Sequence, residues 1–257
     1  MKAILYAAGR GVRLGAQTPK ALIEVGGLTL LERHAVRLRA AGVAEIVVVT
    51  GHLREKVAQA LPRLRDQHGM EVREIVNPRF EEGSVLSLAA SLPEVEGSSE
   101  PVLLMDADVL YAGEILNRLI GSRHRTVLLL DRNFSTRDDD PVLVPVKEGR
   151  PFEFQKKWNG EAEFIGESVG FFRVAPEDLP MLIAETRARC AIAPCTDSYD
   201  EVLRAMVIAG RFEHEEVTGL PWTEIDFPDD LSYARDEVLP AIERLDANSG
   251  PNQTGAP

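Results

Sequence analysis

The sequence predicts an α/β fold: a Rossmann-like, mostly parallel sheet with helices on both faces and a small β-rich lid. Residues 3–8 form a short apolar run, which is typical of a strand buried on both faces. Strand and helix patterns then alternate through the first 80 residues, as they do in parallel sheets. Alternating apolar residues over 142–154 have the pattern of a β-hairpin instead, and they indicate the lid.

The elements of the first half follow from periodicity and from signals at helix ends. Apolar residues recur at helical spacing after Leu28, Thr29 is a suitable N-cap, and Gly42 ends the pattern. The predicted order is a helix over 28–41, a strand over 45–50, a helix over 52–65 and a strand over 71–76.

The loop after the first strand, within the run AAGRGVRL, is rich in glycine and basic residues. The first 23 residues contain four basic side chains and no acidic one, although the chain has a formal net charge of −12. Glycine lets the backbone approach a ligand closely, and successive backbone N–H groups can bind anionic oxygens. The loop is therefore predicted to hold a nucleoside triphosphate, and a glycine-rich surface turn is the alternative.

Two other phosphate-binding loops do not fit this stretch. The P-loop needs Gly-Lys followed by Ser or Thr, and no such tripeptide occurs. The dinucleotide fingerprint needs a small residue where Leu14 stands and a helix that begins at once, whereas Pro19 delays the helix.

Composition argues against several classes of protein. A net charge of −12 disfavours a nucleic-acid-binding protein, and no run of 18 apolar residues occurs, so no membrane insertion is predicted. The opening apolar run of six residues is too short for the core of a signal peptide. Cys190 and Cys195 have no partner cluster for a metal, and we expect reduced thiols in a cytoplasmic protein. The sequence leaves both a monomer and a homodimer open.

The segment 77–92, NPRFEEGSVLSLAASL, places a glycine and two small hydroxyl side chains near a predicted helix start. Glu81 and Glu82 are expected in the first turn of that helix, with Ser84 and Ser87 close by. Such groups can lie against a flat base and form hydrogen bonds with it. The alternative is an ordinary capped helix.

Two aspartates follow an apolar strand predicted within 101–111. Ligands of open α/β sheets bind at the carboxyl ends of strands, where Asp106 and Asp108 would lie. Oxygen ligands suit Mg²⁺, so these residues predict a magnesium site, with an N-cap pair before Gly113 as the alternative. Near the end of the chain, the acids after Pro228 fit the start of a last helix, which leaves Asp226 without a structural role.

The second half is predicted to be less regular. Its expected elements are a strand over 126–131, a polar loop over 132–140, the hairpin, a strand over 166–172, helices over 177–189 and 199–209, a strand over 212–217 and the last helix from residue 228.

These motifs resemble those of the nucleotidyltransferases that activate sugar phosphates and phospho-alcohols. AAGRGVRL followed by TPKAL is similar to the family signature L-A-A-G-x-G-x-R-L…P-K, with Tyr6 where an alanine or leucine is usual. GSVLSL is similar to the base-reading segment of phosphocholine-type cytidylyltransferases, the closest branch. Asp226 resembles the family's second metal-binding aspartate, in the pattern W-x-x-I-D-x-x-x-D.

The resemblance implies a role for each matched residue. Arg13 and Lys20 would neutralise the triphosphate and are the expected catalytic residues, while Asp108 and Asp226 would bind Mg²⁺. The expected nucleotide-binding residues are Ala7, Ala8, Gly9, Arg10, Gly11, Ser84, Ser87 and Asp106. The expected acceptor-binding residues are Lys156, Lys157, Glu167 and Tyr199. We expect a single nucleotidyltransferase domain over 1–245, with a nucleotide-binding half over 1–125, an acceptor-binding and metal-completing half over 126–245, and a disordered tail over 246–257.

The resemblance further implies Mg²⁺-dependent transfer of CMP from CTP to a small phospho-alcohol or phosphonate, with release of pyrophosphate. Phosphocholine, phosphoethanolamine and 2-aminoethylphosphonate rank narrowly above inositol 1-phosphate and sugar 1-phosphates. Because a quaternary ammonium usually needs an aromatic cage, choline would require Trp158 and Tyr199 to converge. Two rivals come from other classes: a metal-dependent glycosyltransferase, which shares a D-x-D at a strand end, and a nucleotide-binding regulatory module.

Overall fold

The structure, a computed structural model, describes residues 1–15, 17–133 and 141–248. Its strands are β1 (Lys2–Ala7), β2 (Glu24–Val25), β3 (Leu28–Thr29), β4 (Glu45–Thr50), β5 (Glu71–Val76), β6 (Val102–Asp106), β7 (Val109–Tyr111), β8 (Val127–Asp131), β9 (Leu143–Lys147), β10 (Arg150–Pro151), β11 (Phe164–Val174), β12 (Glu213–Glu216) and β13 (Trp222–Glu224). Its helices are α1 (Leu30–Ala40), α2 (Arg54–His68), α3 (Val85–Val95), α4 (Gly113–Gly121), α5 (Leu179–Cys190), α6 (Asp200–Ile208), α7 (Pro228–Tyr233) and α8 (Leu239–Asn248).

One mixed sheet organises the molecule. Its parallel part runs β5–β4–β1–β6, and β11 continues it in the antiparallel direction beside β6. The first residues of β11 pair with β9 along the edge that β6 occupies further on, and the opposite edge of β11 pairs with β8; β12 adds to β8, and β10 adds to β9. The predicted fold class is confirmed: a Rossmann-like, mostly parallel sheet that carries a β-hairpin at one end.

Helices cover both faces of the sheet because the strands are apolar on both sides. In β1, Ala3 and Leu5 alternate with Ile4 between two separate apolar cores. The first core contains residues of α1, α2 and α4, and the second contains residues of α3, α5 and α6. This two-sided burial explains why the first strand is a continuous apolar run.

The order of the parallel strands creates a crevice at their carboxyl ends. After β1 the chain builds β4 and β5 on one side, and it later returns to place β6 on the other side. In open α/β sheets ligands bind at such a switch point. The glycine-rich loop follows β1, and the predicted metal aspartates follow β6, so both lie at this crevice.

Two predicted elements were wrong in detail, and both differences move site residues. The strand expected within 101–111 is broken into β6 and β7 by a turn at Ala107 and Asp108. The helix expected to include Glu81 and Glu82 in its first turn begins later, at Val85, because the preceding residues form a separate turn.

The end of the chain also differs from the prediction. Residues 246–248 continue helix α8, so the first part of the segment predicted to be disordered is helical. Residues 249–257, like most of the polar loop predicted over 132–140, lie outside the described residues. The division of the chain at residue 125 into two functional halves stays a prediction.

Candidate active site

The crevice between β1 and β6 is framed by the glycine-rich loop and by the turn at residues 107 and 108. The loop contains two short 3₁₀ turns, Val12–Leu14 and Lys20–Leu22. Gly11 precedes the first of them with φ +56°, a left-handed conformation that glycine adopts at little cost. This local geometry places the side chains of Arg13 and Lys20 beside the acids that follow β6 and β13.

The first group of polar residues in the crevice is named here the carboxylate side and consists of Arg13, Lys20, Asp108, Glu224 and Asp226. One carboxylate oxygen from each of the three acids lies within 4.8 Å of the others. The Lys20 Nζ donates to Asp108 Oδ2 at 2.8 Å and also to Asp226 Oδ1. Arg13 Nη1 donates to Asp226 Oδ2 at 2.9 Å. The ion pairs of Lys20 and Arg13 with Asp226 thus connect residues more than 200 positions apart in the sequence.

A short antiparallel pair of strands brings the late acids to this place. In the pairing of β13 with β7, Glu224 lies opposite Val109, next to Asp108 in the chain. The Ile225 N–H then donates to the Asp108 carbonyl at 3.1 Å. Because β7 follows directly from the turn after β6, this pairing holds the two acidic segments in fixed register.

The start of α7 fixes the position of Asp226. The Asp230 carboxylate accepts hydrogen bonds from the backbone N–H groups of Asp226, at 3.0 Å, and of Phe227, at 2.7 Å. The Arg13 guanidinium lies 4.9 Å from the centroid of the Phe227 ring. Asp230 therefore serves the helix start, as predicted for the acids after Pro228, and the side chain of Asp226 faces the crevice.

The charges of this group are unbalanced. Although Glu224 as a residue is exposed, its carboxyl group has lost hydration, and this loss, with the charges of Asp108 and Asp226, raises its pKa well above the ordinary value. Burial also opposes ionisation of Asp226, but Lys20 and Arg13 outweigh it and lower its pKa. Three carboxylates thus share two cationic side chains, which leaves an excess of negative charge.

The donor set fits a divalent cation. Three carboxylates converge on one point, and Mg²⁺ prefers oxygen ligands and usually takes one or two carboxylates together with phosphate oxygens. Two of the three, Asp108 and Asp226, are the predicted metal ligands. Sequence reasoning missed Glu224. A signal was present, because residues two apart in an extended segment point to the same side, as Glu224 and Asp226 do.

The second group, named here the tyrosine side, consists of Tyr6, Ser84, Ser87, Asp106 and Tyr199. The Tyr199 hydroxyl donates to Asp106, with its oxygen 2.7 Å from Oδ1 and 2.6 Å from Oδ2. The Tyr199 ring stacks on Tyr6, with centroids 5.5 Å apart. Burial, followed by the charge of Asp108, raises the pKa of Asp106 well above the usual carboxyl value.

Gly170 of β11 makes the position of Asp106 possible. It has φ +77°, and a Cβ there would lie 2.3 Å from Asp106 Oδ2. Any side chain at this position would displace the carboxylate. Asp106 therefore belongs to a different environment from Asp108, although only one residue separates them.

The two serines are held by residues from distant parts of the chain. Ser84 immediately precedes α3, but its hydroxyl does not cap that helix; it accepts a hydrogen bond from the Tyr199 N–H at 3.0 Å. The Ser87 hydroxyl accepts from the Asn77 side-chain amide at 3.0 Å. Ser84 therefore does not act as a side-chain cap of α3, and its hydroxyl instead links α3 to the segment before α6.

Members of both groups line one cleft of about 290 Å³, whereas Lys20 is not among its described wall residues and is joined to it through Asp108 and Asp226. Its walls include Ala8, Gly9, Arg13, Ser84, Ser87, Asp106, Asp108, Lys156, Glu167, Tyr199, Glu224 and Asp226. A wider cavity of about 970 Å³ adjoins it and shares Glu167, Glu224 and Asp226 as walls. Most of the predicted site residues are thus brought together.

Some predicted residues lie elsewhere. Ala7 ends β1, while Arg10 and Lys157 are exposed, and these residues and Gly11 are not among the described residues that line the cleft. Lys156, next to Lys157, does line it. The Trp158 ring packs edge-on against Phe152 and is likewise not among the described wall residues, whereas Tyr199 lies against Tyr6.

Within the described residues, no helix combines the length and the apolar character needed to cross a bilayer.

Comparison with known proteins identifies relatives along the whole chain. The sequence model of the MobA-like NTP transferase domain matches residues 3–253. The bifunctional IPC transferase and DIPP synthase of Rubrobacter xylanophilus is 31% identical over 92% of this chain and 52% of its own length, so the chain spans about half of that relative. The N-acetylmuramate alpha-1-phosphate uridylyltransferase of Neisseria meningitidis is 29% identical over 88% of this chain and 93% of its own. Among solved structures, the inositol-1-phosphate CTP transferase from T. maritima superposes with a TM-score of 0.75 over 95% of both chains at 20% identity, which shows the same fold.

Proposed function

This chain belongs to the MobA-like NTP transferase domain family and is a nucleotidyltransferase, and from that premise we propose that it transfers CMP from CTP to a small phosphorylated alcohol. An oxygen of the acceptor's phosphate attacks the α-phosphorus of CTP. The bond from that phosphorus to the bridging oxygen breaks, and pyrophosphate leaves. Family membership favours this reaction over glycosyl transfer and over a regulatory role.

The observation that carries the proposal is the contact of Lys20 with both Asp108 and Asp226. It joins the glycine-rich loop to the acids after β6 and after β13 at one point. A phosphoryl transfer needs little covalent chemistry from the protein, because positioning and charge neutralisation account for most of the catalysis. Groups of both signs must then meet at the reacting phosphate, as they do here.

Each charged residue has a definite task in this reaction. Arg13 and Lys20 bind the triphosphate oxygens and stabilise the charge that develops on the leaving pyrophosphate. Asp108, Asp226 and Glu224 would hold Mg²⁺, which when bound supplies a Lewis acid at the phosphoryl oxygens. Lys156 binds the acceptor's phosphate. That phosphate is ionised at neutral pH, so no side chain has to act as a general base.

The choice of CTP rests on the tyrosine side and on relatives. Ser84, Ser87 and Tyr199 offer hydroxyl groups along one wall of the cleft, suited to the polar edge of a pyrimidine. The T. maritima structure is that of a CTP transferase, whereas the relative from N. meningitidis is named a uridylyltransferase. UTP is therefore the competing substrate that the experiment must include.

The acceptor side favours a polyol phosphate. Tyr199 lines the cleft, but Trp158 packs against Phe152 and is not among the described wall residues, which disfavours an aromatic cage for a quaternary ammonium. Buried Glu167 is shared by the cleft and the adjoining cavity and offers carboxylate oxygens to hydroxyl groups. This arrangement favours the reverse of the order expected from the sequence, with inositol 1-phosphate ahead of phosphocholine. An amine such as 2-aminoethylphosphonate is the second candidate, because acids predominate around the cavity.

The test measures pyrophosphate release with each of the four ribonucleoside triphosphates and a panel of acceptors, with Mg²⁺ and with excess chelator. The panel contains inositol 1-phosphate, phosphocholine, phosphoethanolamine, 2-aminoethylphosphonate and glucose 1-phosphate, and mass spectrometry identifies the product. We expect the highest kcat/KM for CTP with inositol 1-phosphate and no turnover in chelator. Preference for UTP would contradict the base assignment, and turnover of only the hexose phosphate would contradict the acceptor assignment.

Two neighbouring lysines provide a matched pair for the acceptor site. Lys156→Ala should raise the KM for the acceptor by roughly tenfold or more, the loss of one charge-assisted hydrogen bond, and leave the KM for CTP nearly unchanged. Lys157→Ala removes the same charge one residue away, outside the described walls of the cleft, and should change neither constant. Equal effects of the two substitutions would contradict a specific role for Lys156.

A further inference from the structure

We propose that Cys190 and Cys195 form a reversible thiol–disulfide switch that controls the tyrosine side of the cleft. This inference concerns a modification site and goes beyond the proposed function. Three features of the structure support it: the proximity of the two thiols in one packed cluster, access to one of them, and attachment of the other through hydrogen bonds to residues that line the cleft.

The two cysteines face each other across a short loop. Cys190 is the last residue of α5, and Cys195 follows after an exposed segment over 191–194. The Cys195 Sγ lies 3.9 Å from the carbonyl oxygen of Arg189, the residue before Cys190. The two side chains belong to one packed apolar cluster, with Cys195 inside it and Cys190 against it, and both are free thiols. The pair is therefore preformed in the reduced protein.

The two thiols differ in exposure. Cys195 is buried, with 1% of its surface exposed, whereas Cys190 is partly exposed. A small oxidant can therefore reach Cys190 first, and Cys195 is then placed to resolve the adduct. This is the usual arrangement of an attacking and a resolving thiol.

The segment that begins at Cys195 is fastened to the start of α3. The Cys195 carbonyl accepts a hydrogen bond from the Gly83 N–H at 2.7 Å, and the Asp197 carbonyl accepts one from the Val85 N–H at 3.2 Å. A Cβ on Gly83 would lie 2.1 Å from the Asp197 carbonyl oxygen, so the two backbones are packed against each other without space between them.

The same segment ends at the residue that contacts Asp106. Tyr199 donates its N–H to the Ser84 hydroxyl and its own hydroxyl to Asp106. Residues 195–199 thus connect the buried cysteine to a serine and an aspartate of the cleft. A shift of Cys195 would be transmitted through hydrogen bonds to both.

The chemistry needs a disulfide oxidant such as glutathione disulfide. The Cys190 thiolate attacks one sulfur of the oxidant, whose S–S bond breaks, and the first glutathione leaves with the electron pair and takes up a proton. The Cys195 thiolate then attacks the Cys190 sulfur, the protein S–S bond forms, and the second glutathione leaves and is protonated. Two electrons pass from the cysteine pair to the oxidant, and reduced glutathione reverses the sequence.

The environment of Cys190 sets the speed of this switch. Burial, followed by the neighbouring Cys195, raises the pKa of Cys190 to about 11. Only a small fraction is thiolate at neutral pH, and the thiolate is the nucleophile. The pair is therefore suited to sustained oxidising conditions rather than to brief ones.

Oxidation should weaken nucleotide binding. A disulfide brings two sulfur atoms to about 2 Å, closer than two thiols in contact. Because the loop over 191–194 is exposed, we expect the approach to displace Cys195 and the attached residues 196–199. The KM for CTP should rise by roughly five- to tenfold, the loss of about one neutral hydrogen bond.

The experiment incubates the folded enzyme in mixtures of reduced and oxidised glutathione. Mass spectrometry counts hydrogens lost per chain, and steady-state assays give the KM for CTP at saturating Mg²⁺. Amide hydrogen exchange reports on the N–H groups of Gly83, Val85 and Tyr199. We expect loss of two hydrogens, faster exchange at these amides and a higher KM, all reversed by excess reduced glutathione.

Cys190→Ser is the matched control, because it keeps the shape of the side chain and cannot form the bond. Its KM for CTP should equal that of the reduced enzyme in every mixture. The proposal is overturned if the folded wild-type chain keeps both thiols under oxidising conditions, or if it forms the disulfide without a change in exchange and KM. The proposal is also overturned if oxidised glutathione raises the KM for CTP of Cys190→Ser as much as that of the wild-type chain. The mass and exchange readouts do not require turnover, so they remain informative if CTP is not the substrate.

Discussion

The carboxylate side and the tyrosine side meet at the same cleft, yet they are built from different interactions. On the carboxylate side, Lys20 and Arg13 form charged hydrogen bonds with acids that lie far away in the sequence. On the tyrosine side, the contacts are a ring stack and hydrogen bonds of hydroxyl groups, one of them with a backbone N–H. Asp106 and Asp108 show the contrast most directly, because the last residue of β6 and a residue of the turn after it enter the two different groups.

This difference indicates a division of tasks. Hydrogen bonds between charged groups contribute about twice as much as those between neutral groups. The carboxylate side should therefore govern the rate of transfer, since the reacting phosphates are charged. The tyrosine side should govern the choice of nucleotide, with smaller energies. Substitutions on the two sides should consequently differ in size and in which kinetic constant they change.

The largest effect is expected for Asp226→Asn, because this residue faces Lys20, Arg13 and the proposed cation at once. Loss of the carboxylate should lower kcat by a hundredfold or more, on the order of 3 kcal/mol, and should raise the Mg²⁺ concentration needed for half-maximal rate. Asp229→Asn is the matched control: it is an exposed aspartate three residues later and should behave as wild type. Unchanged Mg²⁺ dependence in Asp226→Asn would contradict the role of the cluster.

A slightly smaller effect is expected for Lys20→Ala. Removing one charge-assisted phosphate contact should cost about 2–4 kcal/mol, or tens- to hundreds-fold in kcat/KM. The ratio of kcat/KM for CTP over UTP should stay the same, because the hydrogen bonds of Lys20 described above go to Asp108 and Asp226, on the carboxylate side. Arg10→Ala removes a positive charge from the same loop but from an exposed position, and its kcat/KM should fall far less than that of Lys20→Ala. Equal losses would show that only the total charge of the loop matters.

Glu224→Gln tests the residue that sequence reasoning missed. We expect this substitution to stabilise the metal-free protein. The folded protein binds the Glu224 proton more tightly than the unfolded chain, because the pKa is raised. Stability therefore falls as the pH rises from the ordinary carboxyl range through this raised pKa. In chelator at neutral pH, Glu224→Gln should raise the melting temperature, while Mg²⁺ should stabilise it less than wild type. A lower melting temperature of Glu224→Gln in chelator would show that repulsion from Asp108 and Asp226 does not destabilise the Glu224 carboxylate.

The two sides also differ in how far the sequence could predict them. Lys20 and Asp108 were predictable because each follows an apolar strand within a short, recognisable motif. Glu224 was not, since its position depends on the pairing of β13 with β7, and that pairing required the break after β6 that the apolar run concealed. The link between Ser84 and Tyr199 joins residues 115 positions apart, and nothing local indicates it. Periodicity shows which face of an element is buried, but it does not show which distant segment covers that face.

Tyr199→Phe should have the smallest effect and the most specific one. The substitution keeps the ring that stacks on Tyr6 and removes only the hydroxyl that donates to Asp106. Asp106 is half-buried, with a raised pKa, and would lose this donor. We expect a loss of about 1 kcal/mol, roughly fivefold in kcat/KM for CTP, with kcat nearly unchanged. The ratio of kcat/KM for CTP over UTP should change in Tyr199→Phe, whereas it should stay the same in Lys20→Ala.

Tyr6→Phe is the control, because its hydroxyl is 3.3 Å from Ser91 and does not donate to Asp106. If Tyr199→Phe instead lowered kcat as strongly as Lys20→Ala at a constant ratio, Asp106 would belong functionally to the carboxylate side, and the division between the two groups would be wrong.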